Sequence, residues 1–252
     1  MTEPAVSTKA VPNWVDFSTN DIPAAIEFYS RLLGWQEQDL GPDAGGYRFF
    51  MKGEKVAAGI GPNQDPSMPN HWNVYIGTAD ADAVAAKVAG AGGTVVVPPF
   101  DVMGQGRMGV FQDPTGAFLS VWQPVLMGGF EVSNEPSSFD WAELQARDLP
   151  KAKPFYQAVF GWGVKETNDG MPYTEWQLDG HSIAGAMEMP EMVPAEVPSY
   201  WLAYFRVAGL DAAVARVPEL GGQVLSPAMD FPGGRFAIVM DSQGGTLGLV
   251  GD

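Results

Sequence analysis

The 252-residue chain carries 30 acidic against 14 basic side chains, a net charge of −16, which excludes nucleic acid and anionic membrane as partners because both require positive charge. It has no cysteine, so disulfides, thiolate metal sites and cysteine nucleophiles are excluded as well. With 46% apolar and 17% charged residues it reads as a globular chain long enough for two domains.

In chain order, residues 1–12 read as a tail. Asn13 to Ser18 then alternates as a half-buried strand, with Val15 and Phe17 on one face and Trp14, Asp16 and Ser18 on the other. Asp21 is a helix N-cap, Pro23 suits the first turn, Ile26, Tyr29, Leu32 and Leu33 recur at helical spacing, and Gly34 ends the helix. Two or three short strands are expected to follow, through Tyr47–Met51 and Lys55–Ile60. The pattern restarts at Trp72–Gly77, followed by an alanine-rich helix over Asp80–Ala91 and the Gly92-Gly93 turn. Strands at Val95–Val97, Arg107–Gln112 and Phe118–Trp122 complete it, with Asp113-Pro114-Thr115-Gly116 as the last turn. The stretch 124–138, rich in Gly, Ser and Pro, reads as a linker.

The chain then repeats itself. WVDFSTNDIPAAIEFYSRLLGW (Trp14–Trp35) returns 127 residues later as WAELQARDLPKAKPFYQAVFGW (Trp141–Trp162), ungapped, with eight of 22 positions identical. The second copy restarts at Tyr200–Arg206, has a helix over Leu210–Leu220 and ends on a strand at Thr246–Val250. This predicts an α+β protein of two tandem domains, 13–123 and 139–252, each built of two βαβββ units. No apolar run approaches 18 residues and no basic segment precedes a short apolar one at the start, which predicts a cytoplasmic protein. The Gly90-Ala91-Gly92-Gly93 run follows a helix, whereas a nucleotide loop precedes one.

A helix motif with Asp, Phe-Tyr and Gly-Trp after the first strand, then Gly-Gly and Asp-Pro-x-Gly at these spacings, resembles the vicinal oxygen chelate superfamily, and specifically its actinobacterial two-domain glyoxalase-like subgroup. That superfamily holds glyoxalases, extradiol dioxygenases, fosfomycin-resistance enzymes and bleomycin-binding proteins. The resemblance implies a curved mixed sheet around a cleft in each domain, and in the family's enzymes a divalent metal held by His, Gln or Glu. Those ligand positions fall here on Trp14, Asn73 and Ser120, and in the second copy on Trp141, Leu202 and Gly248. Indole, leucine and glycine do not ligate metals, and Asn and Ser are poor substitutes for imidazole and carboxylate. The expectation is therefore no metal and no cofactor. A site assembled from His71 and Asp16 lacks a third donor, and His181 falls in a turn.

The face opposite Val15, Phe17, Val74, Ile76, Leu119 and Val121 carries Trp14, Asp16, Asn73, Tyr75, Phe118, Ser120 and Trp122 in the first copy. In the second it carries Trp141, Glu143, Leu202, Tyr204, Thr246, Gly248 and Val250. Trp14, Asn73, Tyr75, Phe118, Ser120, Trp122, Trp141 and Tyr204 are the candidate ligand contacts, because aromatic walls with a few polar groups suit flat apolar ligands. Asp16 and Glu143 are candidate general bases; the alternative, structural reading has each hydrogen-bonded to its own sheet or paired with a facing arginine, Arg107 or Arg235. Three functions follow. The first is a metal-independent binder of an aromatic natural product or drug, acting as monomer or homodimer. The second is a metal-independent enzyme using Asp16 or Glu143 on a polyketide- or quinone-like substrate, and the third, against the mapped positions, a metal-dependent lyase or dioxygenase.

Overall fold

The computed structural model describes residues 8–168 and 172–252; part of the expected N-terminal tail, residues 1–7, lies outside the described residues. The chain forms strand β1 (Pro12–Thr19), helix α1 (Ile22–Leu33), strands β2 (Gln36–Asp39), β3 (Arg48–Lys52), β4 (Lys55–Pro62) and β5 (His71–Gly77), helix α2 (Ala81–Gly90), and strands β6 (Thr94–Val102), β7 (Gly106–Gln112) and β8 (Phe118–Pro124). The order then recurs as β9 (Ser138–Ala146), α3 (Leu149–Phe160), β10 (Gly163–Thr167), β11 (Tyr173–Leu178), β12 (His181–Glu188), β13 (Tyr200–Arg206), α4 (Leu210–Glu219), β14 (Gln223–Phe231), β15 (Gly234–Met240) and β16 (Thr246–Gly251). Two eight-stranded mixed sheets result, ordered β2-β3-β4-β1-β5-β8-β7-β6 and β10-β11-β12-β9-β13-β16-β15-β14. In each, the first strand of a unit runs parallel to its last strand, as β1 to β4 and β5 to β8.

The helix signals act as expected. The Asp21 carboxylate accepts from the Ala24 N–H, Asp148 from Lys151 and Asp80 from Ala83, and Gly34 and Gly161 end their helices at φ 74° and 72°. Two elements go beyond the segments named from the sequence. Gln36–Asp39 is a strand, although its residues are polar and all exposed; it is an edge strand and carries no alternation. The strand expected at Val95–Val97 runs on to Val102 through Pro98-Pro99, which an edge strand tolerates where its register shifts.

Packing groups the chain into two compact units that cut across the repeat. Unit one holds the described residues up to Trp14, Val74–Gly129 and Ala142–Trp201; unit two holds Val15–Asn73, Phe130–Trp141 and Leu202–Asp252. In unit one, the Tyr156 hydroxyl donates to Asp113 Oδ2 at 2.9 Å and accepts from Trp201 Nε1 at 2.9 Å. Trp162 stacks on Tyr156 at 5.5 Å and donates its Nε1 proton to the Ala10 carbonyl. In unit two, the Tyr29 hydroxyl donates to Asp241 Oδ2 at 2.6 Å and accepts from Trp72 Nε1 at 2.9 Å. There Trp35 packs on Phe50 at 5.0 Å and donates to the Ser137 carbonyl. The repeated Phe-Tyr and Gly-Trp motifs are thus core, and each helix tyrosine is tied to the last turn of the other repeat. Burial pushes Tyr29 and Tyr156 well above the ordinary tyrosine pKa, with the neighbouring Asp241 and Asp113 carboxylates adding to the rise.

Candidate functional site

In unit two, Asp16 sits on β1 opposite Gly59 of the parallel strand β4 and is only 6% exposed. The Tyr47 hydroxyl donates to its Oδ2 at 2.8 Å. Asn73 Nδ2 lies 2.8 Å from Asp16 Oδ1 and 2.9 Å from Ser18 Oγ. A Cβ placed on Gly59 would stand 2.0 Å from the Tyr47 hydroxyl oxygen, and one on Gly61 would stand 2.8 Å from Tyr47 Cδ2. The tyrosine ring therefore lies flat on the β4 backbone, and the glycines are what let it reach the acid.

Unit one contains the counterpart. Glu143 on β9 is in register with Gly185 of β12 and is likewise 6% exposed. Tyr173 donates to its Oε2 at 2.7 Å, and Gln145 Nε2 donates to Oε1. Burial, followed by the Glu143 carboxylate, raises the pKa of Tyr200, while Arg147 opposes the rise. Arg147 itself is held by the carbonyls of Val193, Pro194 and Val197.

The expected arginine partners are absent from these acids. Arg107 pairs instead with Asp82 at 2.9 Å and Asp101 at 3.0 Å, and Arg235 with Asp211 at 2.9 Å and Asp230 at 3.5 Å. The reason is strand parity. Met108 and Val110 oppose Trp122 and Ser120, whereas Arg107 opposes Gln123, so Arg107 points to the helix side, where Gln123 caps α2.

The apolar face of the first sheet divides between the units. Asp16 and Asn73 belong to unit two; Trp14, Tyr75, Phe118, Ser120 and Trp122 belong to unit one. Within unit one, Tyr75 is in register with Ser120, and Val110 and Met108 extend the same face to Val97 and Phe100 on β6. Trp122 is not its open surface: it is 5% exposed, donates Nε1 to the Met127 carbonyl and covers Gly106, whose added Cβ would lie 2.5 Å from Cζ2. The exposed rings are Phe118 and Phe100, each 44% accessible. Trp14 is buried and Trp141 half-buried.

In unit two, Tyr204 is in register with Gly248. A Cβ on Gly248 would lie 2.1 Å from Tyr204 Cδ1, so the ring occupies the space that a side chain at this position needs. Tyr204 also contacts Phe236 edge-on at 6.2 Å. A metal does not fit these residues: the family's ligand positions carry Trp14, Asn73 and Ser120 in one copy and Trp141, Leu202 and a ring-covered Gly248 in the other. Among the described residues no three His, Cys, Asp or Glu side chains are grouped to hold an ion, and His71 Nδ1 is 2.8 Å from the Pro69 carbonyl. A concavity of about 630 Å³ in unit two, bounded by Leu33, Gly34, Val207, Gly209, Arg31 and Arg216, includes none of the sheet-face residues.

Tyr47, Tyr173, Gly59 and Gly185 were not expected as site residues. Their signal was in the repeat: each tyrosine precedes its glycine by 12 residues, and both pairs are offset by 126.

The comparisons with known proteins agree with this fold. Residues 12–121 and 138–247 each match the model of the glyoxalase/bleomycin resistance protein/dioxygenase superfamily. The anthracycline biosynthesis protein DauV of Streptomyces sp. (strain C5) is 36% identical over 255 residues, covering 95% of this chain and 92% of that protein. CFP32 of Mycobacterium bovis, provisionally named a glyoxylase, is 38% identical over 250 residues, covering 96% and 95%. The Mn(II)-bound glyoxalase from Novosphingobium aromaticivorans shares the fold at a TM-score of 0.67 and 16% identity, covering 97% of this chain and 82% of that one. The chain therefore belongs to the glyoxalase/bleomycin resistance protein/dioxygenase superfamily.

Proposed function

We propose that this protein is a metal-independent binder of an aromatic small molecule, which it seats on the sheet face carrying Phe118, Phe100, Tyr75 and Ser120. The observation that carries the reading is the exposure of Phe118 and Phe100, each 44% accessible, on a face that continues through Val110 and Met108 to Val97. Flat rings stack on such a wall. The relationship to DauV supports an aromatic ligand, since anthracyclines are fused-ring compounds. The net charge of −16 favours a neutral or cationic one. The two repeats, 13–123 and 139–252, act as tandem domains joined by 124–138.

The test is quenching of tryptophan fluorescence by a hydroxyanthraquinone. Phe118→Ala should weaken binding roughly tenfold, the worth of one aromatic contact together with the area it buries. Unchanged affinity in that variant would place the ligand elsewhere.

The buried acids favour a second reading, a proton-transferring enzyme. Asp16 or Glu143 would then serve as general base on a polyketide- or quinone-like substrate. Turnover that disappears in Asp16→Asn or Glu143→Gln while binding persists would establish it; binding without any turnover supports the first reading.

A further inference from the structure

The concavity of unit two contains none of the sheet-face residues; its walls come from α1, from α4 and from the residues that lead into α4 and β9, all within that unit. At about 630 Å³ it has the size of a small-molecule site. Leu33 and Val207 give it an apolar side. Its polar side chains are Ser30, Ser137, Arg31 and Arg216, and no carboxylate lines it. On a chain with 30 acidic and 14 basic residues, that is a local reversal of charge.

Arg216 sharpens the point. Other arginines meet a carboxylate at short range: Arg48 meets Glu37 at 2.9 Å, Arg206 meets Asp140 at 2.6 Å, and Arg235 meets Asp211 at 2.9 Å. Among the described residues no carboxylate pairs with Arg216. Its Nη2 donates to the Arg31 carbonyl in the last turn of α1, which occupies only part of the guanidinium's donor set. Arg31 reaches only Glu27, one turn back at 3.6 Å, and with side chains 56% and 73% exposed that pair is screened by water to little worth.

We propose that this concavity is a second ligand site, which takes an organic acid with an apolar body. The acid group meets Arg31 and Arg216, with the Ser30 and Ser137 hydroxyls as further donors, and the body lies against Leu33 and Val207. The acidity of the whole chain does not forbid this. At about 0.1 M salt charges are screened beyond about 10 Å, so the arginines at the site outweigh acids elsewhere on the surface. The proposal is independent of the aromatic-ligand reading, because the two sites share no residue and select opposite charge.

The probes are 8-anilinonaphthalene-1-sulfonate and N-phenyl-1-naphthylamine, which have the same ring skeleton and differ by the sulfonate; both brighten on leaving water. With the full chain, Arg31→Gln together with Arg216→Gln should weaken sulfonate binding about tenfold, the worth of two screened charge-assisted contacts. Binding of the naphthylamine should change less than about twofold in the same variant. Ala212→Trp, which directs an indole into the concavity from an exposed position of α4, should weaken the sulfonate at least about tenfold with both arginines in place. Phe118→Ala should leave sulfonate binding unchanged. If the arginine variant does not fold, Ala212→Trp decides alone. Sulfonate affinity unchanged in either folded variant would overturn the proposal, as would equal losses of both dyes in the arginine variant. Sulfonate binding that falls with Phe118→Ala, or no sulfonate binding by the unmodified protein, would overturn it as well.

Discussion

Tyr29→Phe removes one oxygen atom from the centre of unit two, and its cost follows from the hydroxyl's two partners. The O–H donates to Asp241 Oδ2 at 2.6 Å and accepts from Trp72 Nε1 at 2.9 Å, with all three residues buried. The deletion leaves an indole N–H without its acceptor and a carboxylate oxygen without its donor. Each buried group so orphaned costs about 1–3 kcal/mol, more for the charged one, which sums to roughly 3–5 kcal/mol. Asp241 stays anchored through Oδ1 by the Gln243 and Gly245 amides, so the turn survives and the loss is local. For a chain of this size that corresponds to a fall in Tm of about 6–20 °C. Thermal unfolding followed by circular dichroism measures it, and a cycle with Asp241→Asn isolates the pair. A fall below about 2 °C would refute the claim that the repeated tyrosine is a structural tie.

Alkaline titration should show the same residues. The folded-state pKa of Tyr29 and of Tyr156 lies above the unfolded value, so the stability they contribute is complete below about pH 10 and is lost as pH rises through the folded value. Tyr29→Phe should therefore make the decline above about pH 10 shallower by roughly 1.4 kcal/mol per pH unit, checked by urea unfolding at a series of pH values. Gly59→Ala places a methyl 2.0 Å from the Tyr47 hydroxyl oxygen and should cost about 1–3 kcal/mol in urea unfolding while separating Tyr47 from Asp16. Gly248→Ala, at 2.1 Å from Tyr204 Cδ1, should destabilise by a similar amount, and Gly248→Glu should bind no manganese or zinc by calorimetry.

The helices, their caps and the order of units were legible because local signals decide them: Asp21 and Asp148 at one end, Gly34 and Gly161 at the other, apolar spacing between. The Gln36–Asp39 strand was not, because edge pairing to β3 selects backbone rather than side chains. The strand face of the acids was legible from alternation, whereas their hydrogen-bond partners were not. Tyr47 and Tyr173 come from hairpins distant in sequence, and only the paired tyrosine–glycine spacing records that contact. Assigning Arg107 and Arg235 to the acids failed because residue parity puts them on the opposite face, where Asp82 and Asp211 meet them at the helix starts. Trp122 looked like a stacking platform in sequence, but the Met127 carbonyl and Gly106 hold it in the packed layer.

The central claim is aromatic binding without a metal, and one experiment addresses it directly. Protein dialysed against a chelator is checked by elemental analysis and titrated with alizarin, alongside protein reloaded with manganese, iron or zinc. The account predicts no stoichiometric metal before or after dialysis and the same affinity in every sample. A stoichiometric metal whose removal abolishes dye binding, or whose return brings ring-cleaving or glyoxalase turnover, would contradict it.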